Sequence, residues 1–453
     1  MARGLKKALE DKDFSELIKG SGMSFLLRFV GLAVGYILTL LIANLFGAKG
    51  LGDYVLSITV LSLFTLFAKI GLDTTSIRFI ASFVTQGKWT SISYFRQKAV
   101  VVLTVSSLLF SLIMYFCAEP LANLINTNMV FIKLNAFFVL PMAFFMLHYE
   151  SLRGLKRIVE FSFFYRVSQG LISIIVIVIL YQFTNNAEVP IYAYLTSVAL
   201  ASLFSYLSFK YWLRRCAEGK ESAEKEILSY STLLKISIPL MFAQTVQFIM
   251  AWTDKLMLGA MTTTEDVAIY YTAFKLSMFA AVALMSINSI AAPKFAELYA
   301  RNDFEGLKKV VNQSNSMIFW TSIPLIFIFF MFPKFFLGLF GEEFKIGVTA
   351  FIILACGRLI SSYSGSVGSI LQMTGNQNIY GIILLFGAII NVCLNLLLIP
   401  ESNPFSDYGI SGINGAATAS MCSLSFWNLS MVFVVKKKFG FYSFYMPFSN
   451  NEK

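Results

Sequence analysis

Charged side chains are scarce. Asp, Glu, Lys and Arg make up 13% of the 453 residues, against 57% hydrophobic ones. A soluble domain carries roughly 25% charged residues because water must solvate its surface. An ordinary soluble enzyme is therefore excluded, and so is a disordered chain. There is one histidine, His148, and the five cysteines (Cys117, Cys216, Cys356, Cys393, Cys422) have no Cys-x-x-Cys spacing. Neither a secreted disulfide scaffold nor a zinc ligand set can be built from these. His148 reads as a packed side chain, and the cysteines read as free structural thiols. No Gly-rich loop ends in Lys-Ser/Thr, so the chain does not hold ATP by that device. No cofactor is expected.

What the sequence does have is apolar length. Runs of about 20 apolar residues, each enough to cross a bilayer core, recur from Ser24 almost to the C-terminus. Twelve spans are expected, near 24–46, 53–80, 98–118, 129–149, 164–183, 190–212, 233–258, 266–291, 314–332, 347–372, 379–399 and 413–435. All must be helical, because irregular backbone in lipid leaves amide groups unpaired. The fold class is an all-α polytopic membrane protein.

The net charge of +11 is topological. Sorted by loop, about 28 Lys and Arg fall at the N-terminus and in every second connection. Only Lys49, Lys133, Lys334 and Lys345 fall in the alternate ones, and four lie within spans. The positive-inside rule then puts both termini in the cytoplasm, and no nucleic-acid partner is needed to explain the charge. The N-terminal segment, with Glu10, Asp11, Asp13 and Glu16 among its lysines, reads as an amphipathic cytoplasmic lead-in and not as a cleavable signal peptide.

A polar connection at 214–231 divides the chain into an N-terminal half (1–213) and a C-terminal half (232–453) of six spans each. LFGAKGLGDYVLS (45–57) echoes MLGAMTTTEDVAIYYTA (257–273), and LRGLKRIVEFSF (152–163) echoes QMTGNQNIYGII (372–383). Parallel repeats of this kind predict two six-helix bundles around a central cavity, with alternating access between them. A monomer is the expected state.

Several of these segments resemble the polysaccharide flippase family of the multidrug/oligosaccharidyl-lipid/polysaccharide exporter superfamily. They are GNQNIYGIILLFGAIINVCLNLLLIP (375–400), with Asn391, Asn395 and Pro400, followed by YGISGINGAATAS (408–420). LIANLFGAKGLGDYVL (41–56), TDKLMLGAM (253–261) and IAAPKFAELYA (290–300) fit the same family. The resemblance implies a flippase for a polyprenyl-diphosphate-linked oligosaccharide in the plasma (inner) membrane of a bacterium. Its product would feed O-antigen, capsule or exopolysaccharide synthesis beside a glycan polymerase and a chain-length regulator. The related peptidoglycan-precursor flippases usually have two further spans.

Charge inside the spans is the remaining signal. Ser62, Thr65, Lys69, Asp73 and Ser76 are spaced for one face of a helix. Span seven carries Gln244, Gln247, Asp254 and Lys255. Span eight carries Lys275, span ten carries Arg358 and Ser362, and Arg28 stands at the mouth of span one. A central Lys or Arg facing lipid costs about 2.5–3.5 kcal/mol, so these cations should face a wet cavity or a partner. Lys69 with Asp73 is the expected ion pair, and Asp254–Lys255 is expected to snorkel to the interface. The remaining positive charge suits a diphosphate. Arg28, Lys69 and Arg358 are expected to engage it, Lys275 to assist, and Gln244, Gln247 and Ser362 to meet sugar hydroxyls. Asp73 would pair with a lysine or serve coupling. A cation-coupled multidrug or metabolite antiporter would need an acidic cavity instead, and a membrane glycan polymerase or ligase would need a large external region.

Overall fold

The computed structural model describes residues 12–218, 226 and 228–444. Arg3, Lys6, Lys7, Lys220, Lys225, Lys453 and part of the 214–231 connection lie outside them. The principal helices are α1 (Lys12–Ala68), α2 (Leu72–Thr85), α3 (Trp89–Phe116), α4 (Met129–Gly154), α5 (Ile158–Tyr181), α6 (Val189–Ala217) and α7 (Tyr230–Met261). They continue with α8 (Thr264–Ser277), α9 (Phe279–Ala300), α10 (Phe304–Met331), α11 (Val348–Ser364), α12 (Val367–Met373), α13 (Gln377–Leu398) and α14 (Gly412–Phe439). No strand occurs among the described residues.

Eleven helical segments among the described residues are long and apolar enough to cross a membrane. The first, Met23–Ala68, has 46 residues. At about 1.5 Å per residue it is roughly twice as long as a ~30 Å hydrocarbon core. It bends at Gly47 (φ 68°, ψ −174°), so it accounts for two of the twelve expected crossings. Val105, Leu109, Leu112 and Phe116 recur at helical spacing on α3 and are each more than half exposed, as a lipid-facing stripe must be.

The chain folds as two compact units that divide within α7, one running to Thr245 and the other from Val246 onward. In the first, α1 packs on α4 and α4 on α6, burying Ile42, Leu51, Leu56, Leu61, Phe145 and Phe209. In the second, Phe295, Leu307, Val311, Ile370, Leu371 and Val435 share one apolar cluster drawn from α9, α10, α12 and α14. Polar caps start several helices. Thr263 and Asp266 form a capping box at α8, and Asp303 accepts from the Gly306 amide at 2.8 Å before α10.

Three spans expected to be continuous are broken. Span two stops at Ala68 and restarts at Leu72, span eight breaks at Met278, and span ten breaks at Gly365. Each break frees backbone groups that lipid cannot satisfy, and neighbouring side chains take them up. Ser106 donates to the Ala68 carbonyl freed at the first break, while beside the second Ser322 adds a hydrogen bond at 3.3 Å to the Ala280 carbonyl within α9. Asn315 accepts from the Ser366 amide at 3.0 Å and donates to the Ser443 carbonyl, while the Ser443 hydroxyl reaches the Ser364 carbonyl at 3.3 Å. The expected polar stripe of span two is thereby interrupted. The Thr65 and Ser76 hydroxyls bond back to the Leu61 and Leu72 carbonyls, both at 2.7 Å.

The break in span two is held in the left-handed region at two successive residues, Ile70 (φ 47°) and Gly71 (φ 71°). A β-branched residue there is a true outlier. Gly71 is required twice over, because a Cβ would also strike the Ser237 carbonyl. Gly87 has a similar φ of 69° but open space around it. Gly71→Ala is therefore expected to lower the melting temperature of the purified protein clearly more than Gly87→Ala, which carries only the backbone penalty of about 1–2 kcal/mol. Equal shifts would refute the close approach.

Candidate functional site

In the first unit the charged focus lies at that break. Lys69 and Asp73 are both buried, and their side chains meet at 2.5 Å across the left-handed turn. The second carboxylate oxygen of Asp73 accepts from the Gln244 amide at 3.2 Å, and the same amide donates to the Thr74 hydroxyl at 2.6 Å. A charge pair of this kind survives away from water only if the remaining lone pairs are also met. Gln244 meets one of them by joining α7 to α2.

In the second unit the focus is Asp254, which sequence reasoning placed at the interface. It is buried, and so is Lys255, so the snorkelling expectation is corrected. The cause is the length of α7, which continues to Met261 and leaves Asp254 about two turns inside its end. One oxygen of Asp254 accepts from Asn391 at 2.9 Å and Asn395 at 2.7 Å. The other accepts from Tyr270 at 2.6 Å and Ser420 at 2.5 Å. Four donors from α8, α13 and α14 fill the acceptor capacity of the carboxylate. Lys255 turns back to the Ala251 carbonyl and lies 4.6 Å and 4.7 Å from the ring centres of Trp252 and Phe274.

The guanidinium of Arg358 lies 5.3 Å from the same Phe274 ring. It borders two cavities in this unit. One, of about 200 Å³, is lined by Gln247, Phe274, Asn391, Ser420 and Trp427 among others. The other, of about 450 Å³, shares Gln247, Arg358 and Trp427 and adds Asn288, Ser369 and Gln372. Among the described residues Arg358 is the sole fully charged side chain lining either, and no Asp or Glu does. What these cavities offer is one cation, several amides and hydroxyls, and an aromatic wall.

The other expected site residues are dispersed. Gln247 lines both cavities, whereas Ser362 is buried and lines neither, its place being taken by Ser361 and Ser369 in the larger one. Lys275 is half-buried and lies over the Tyr271 ring at 5.3 Å. Arg28 is half-buried near the start of α1. His148 is buried among Phe144, Tyr206 and Phe209. Its place is that of a packed side chain, and all five cysteines are free.

A polysaccharide biosynthesis protein family model matches residues 17–299, more than half of the sequence. The chain belongs to the polysaccharide biosynthesis protein family. A MatE model also matches residues 239–397 of this family member. An uncharacterized membrane protein of Methanocaldococcus jannaschii, MJ1068, is 22% identical over 85% of the chain and 78% of its own length. The probable low-salt glycan biosynthesis flippase Agl15 of Haloferax volcanii is 24% identical over 39% of the chain and 35% of its own length. Both relatives are archaeal, so neither ties the chain to a bacterial surface polymer. In fold, the chain superposes on the lipid II flippase MurJ in its inward closed conformation with a TM-score of 0.70 at 15% identity, covering 92% of this chain and 87% of that one. By fold, this member of the polysaccharide biosynthesis protein family is an all-helical multi-pass membrane protein similar to MurJ.

Breaking a buried ion pair by deleting one partner costs about 3–5 kcal/mol, because the other charge is stranded. Asp73→Leu is therefore expected to destabilise the protein strongly, and Lys69→Met added to it should recover much of that loss in a thermal double-mutant cycle. Additive losses would refute the pairing. Asp254→Ala takes that acceptor from three buried donors, Tyr270, Asn391 and Asn395, and from the half-buried Ser420, and a buried donor left unmet costs about 1–3 kcal/mol. It should lower the melting temperature more than Lys255→Met, whose ammonium makes a single backbone hydrogen bond.

Proposed function

We propose that this protein translocates a polyprenyl-diphosphate-linked oligosaccharide across the plasma membrane by alternating access, with both termini in the cytoplasm. The observation that carries the reading is the lining of the two cavities at Arg358: one guanidinium, amides, hydroxyls and Trp427, with no carboxylate among the described residues. A guanidinium is suited to bidentate phosphate contact, and amides, hydroxyls and an aromatic face suit sugars. Asp254 lines neither cavity and offers a cationic solute no open acceptor position, since all four are occupied. Arg28 and Lys275 supply further positive charge along the path, and Lys69 is released to the diphosphate when its bond to Asp73 opens. An inside-negative potential favours outward movement of the anionic head by about 2.3 kcal/mol per charge per 100 mV. The name of the partially matching Haloferax relative agrees with a glycan cargo.

The second reading is a multidrug or metabolite antiporter, favoured by the MatE match over residues 239–397. It requires an acidic cavity, which the Arg358 lining does not supply. The two are separated in reconstituted vesicles offered a polyprenyl-diphosphate oligosaccharide or an amphiphilic cation. Arg358→Ala is expected to slow glycolipid translocation by about 10-fold or more, the worth of one charge-assisted contact. Arg358→Lys should recover part of the rate. Unchanged glycolipid movement, or transport of the cation alone, would overturn the proposal.

A further inference from the structure

A groove of about 370 Å³ lies in the first unit, away from every residue assigned to transport above. Leu140, Pro141 and Phe144 of α4 form one wall, Leu203 and Tyr206 of α6 the other, and His148 closes one end. The proline within α4 and the half-exposed Leu203 give it the form of a lateral slot on the bilayer-facing surface. Its walls are almost wholly apolar, while one end is basic. Arg96 of α3 and Lys210 of α6 lie 5.1 Å and 6.0 Å from the centre of the same Tyr206 ring, and Arg96 is also 5.6 Å from that of Phe209. Both cations are half-buried, and among the described residues neither forms an ion pair. Nδ1 of the buried His148 has no hydrogen-bond partner.

An apolar slot with two cations over the one tyrosine that lines it matches a lipid with an anionic head. Two like charges held close together at the edge of hydrocarbon repel each other unless an anion joins them. A membrane supplies such anions in its own lipids. We propose that this groove is a binding site for one anionic phospholipid, with an acyl chain between Leu140, Phe144 and Leu203 and its phosphate on Arg96 and Lys210. The site is independent of the cargo path, so its failure would leave the proposed transport function untouched.

Leu203 lines the slot and faces outward, so Leu203→Trp places a fluorophore there. In vesicles of phosphatidylcholine doped with brominated phosphatidylglycerol, the added tryptophan should be quenched at on the order of tenfold lower dopant than with brominated phosphatidylcholine. Adding Arg96→Gln and Lys210→Gln should abolish that preference. Native mass spectrometry of the otherwise unaltered protein provides a second reading: one phosphatidylglycerol retained above the phosphatidylcholine background, lost in the double variant. Equal quenching by the two lipids would make the groove an ordinary annular contact and overturn the proposal. So would displacement of the brominated anionic lipid by substoichiometric polyprenyl diphosphate, which would make it a cargo site.

Discussion

Hydrocarbon solvates neither a charge nor an open peptide group, and the architecture of this membrane protein is organised around that constraint. At Asp73, at Asp254 and at the breaks in spans two and ten, a side chain from another helix is placed to receive the carboxylate or the freed backbone group. Asp73 draws on α7 through Gln244, and Asp254 draws on α8, α13 and α14. Ser106 and Asn315 do the same for broken backbone. The polar atoms within each unit thus specify which helices adjoin, a task that apolar contacts between lipid-soluble surfaces perform weakly.

The two units solve the problem of an intramembrane acid differently. In the first, one cation neutralises Asp73 across a left-handed turn while Gln244 takes up its second oxygen. In the second, four neutral donors hold Asp254 while Lys255 and Arg358 share the Phe274 face. That second arrangement removes the carboxylate from the cavity wall and leaves the guanidinium there. The sign of the cavity is therefore set by hydrogen bonding as much as by the number of charged residues.

Much of this was legible beforehand. The apolar runs gave the helices and their number, and the i, i+4 spacing gave the Lys69–Asp73 pair. The helix breaks were harder to read, because Ile70–Gly71 and Gly365 lie inside runs that read as continuous spans and are determined by contacts with distant residues such as Ser106 and Asn315. Asp254 was misplaced for a related reason. Its position near the end of an apolar run suggested water, yet its partners Tyr270, Asn391, Asn395 and Ser420 are brought to it only by the fold. The signal available was Asn391 and Asn395 one turn apart in an otherwise oily helix, a pair that has to face something polar.

The bond between Asn315 and Ser443 makes the residues just after α14 part of the second unit's framework. They peg the chain end against the kink of span ten, beside the larger of the two Arg358 cavities, which Gly365 itself lines. Trimming the chain back to the end of α14 would withdraw that peg and leave the kinked span without its brace, whereas an appendage attached beyond Phe444 would spare it.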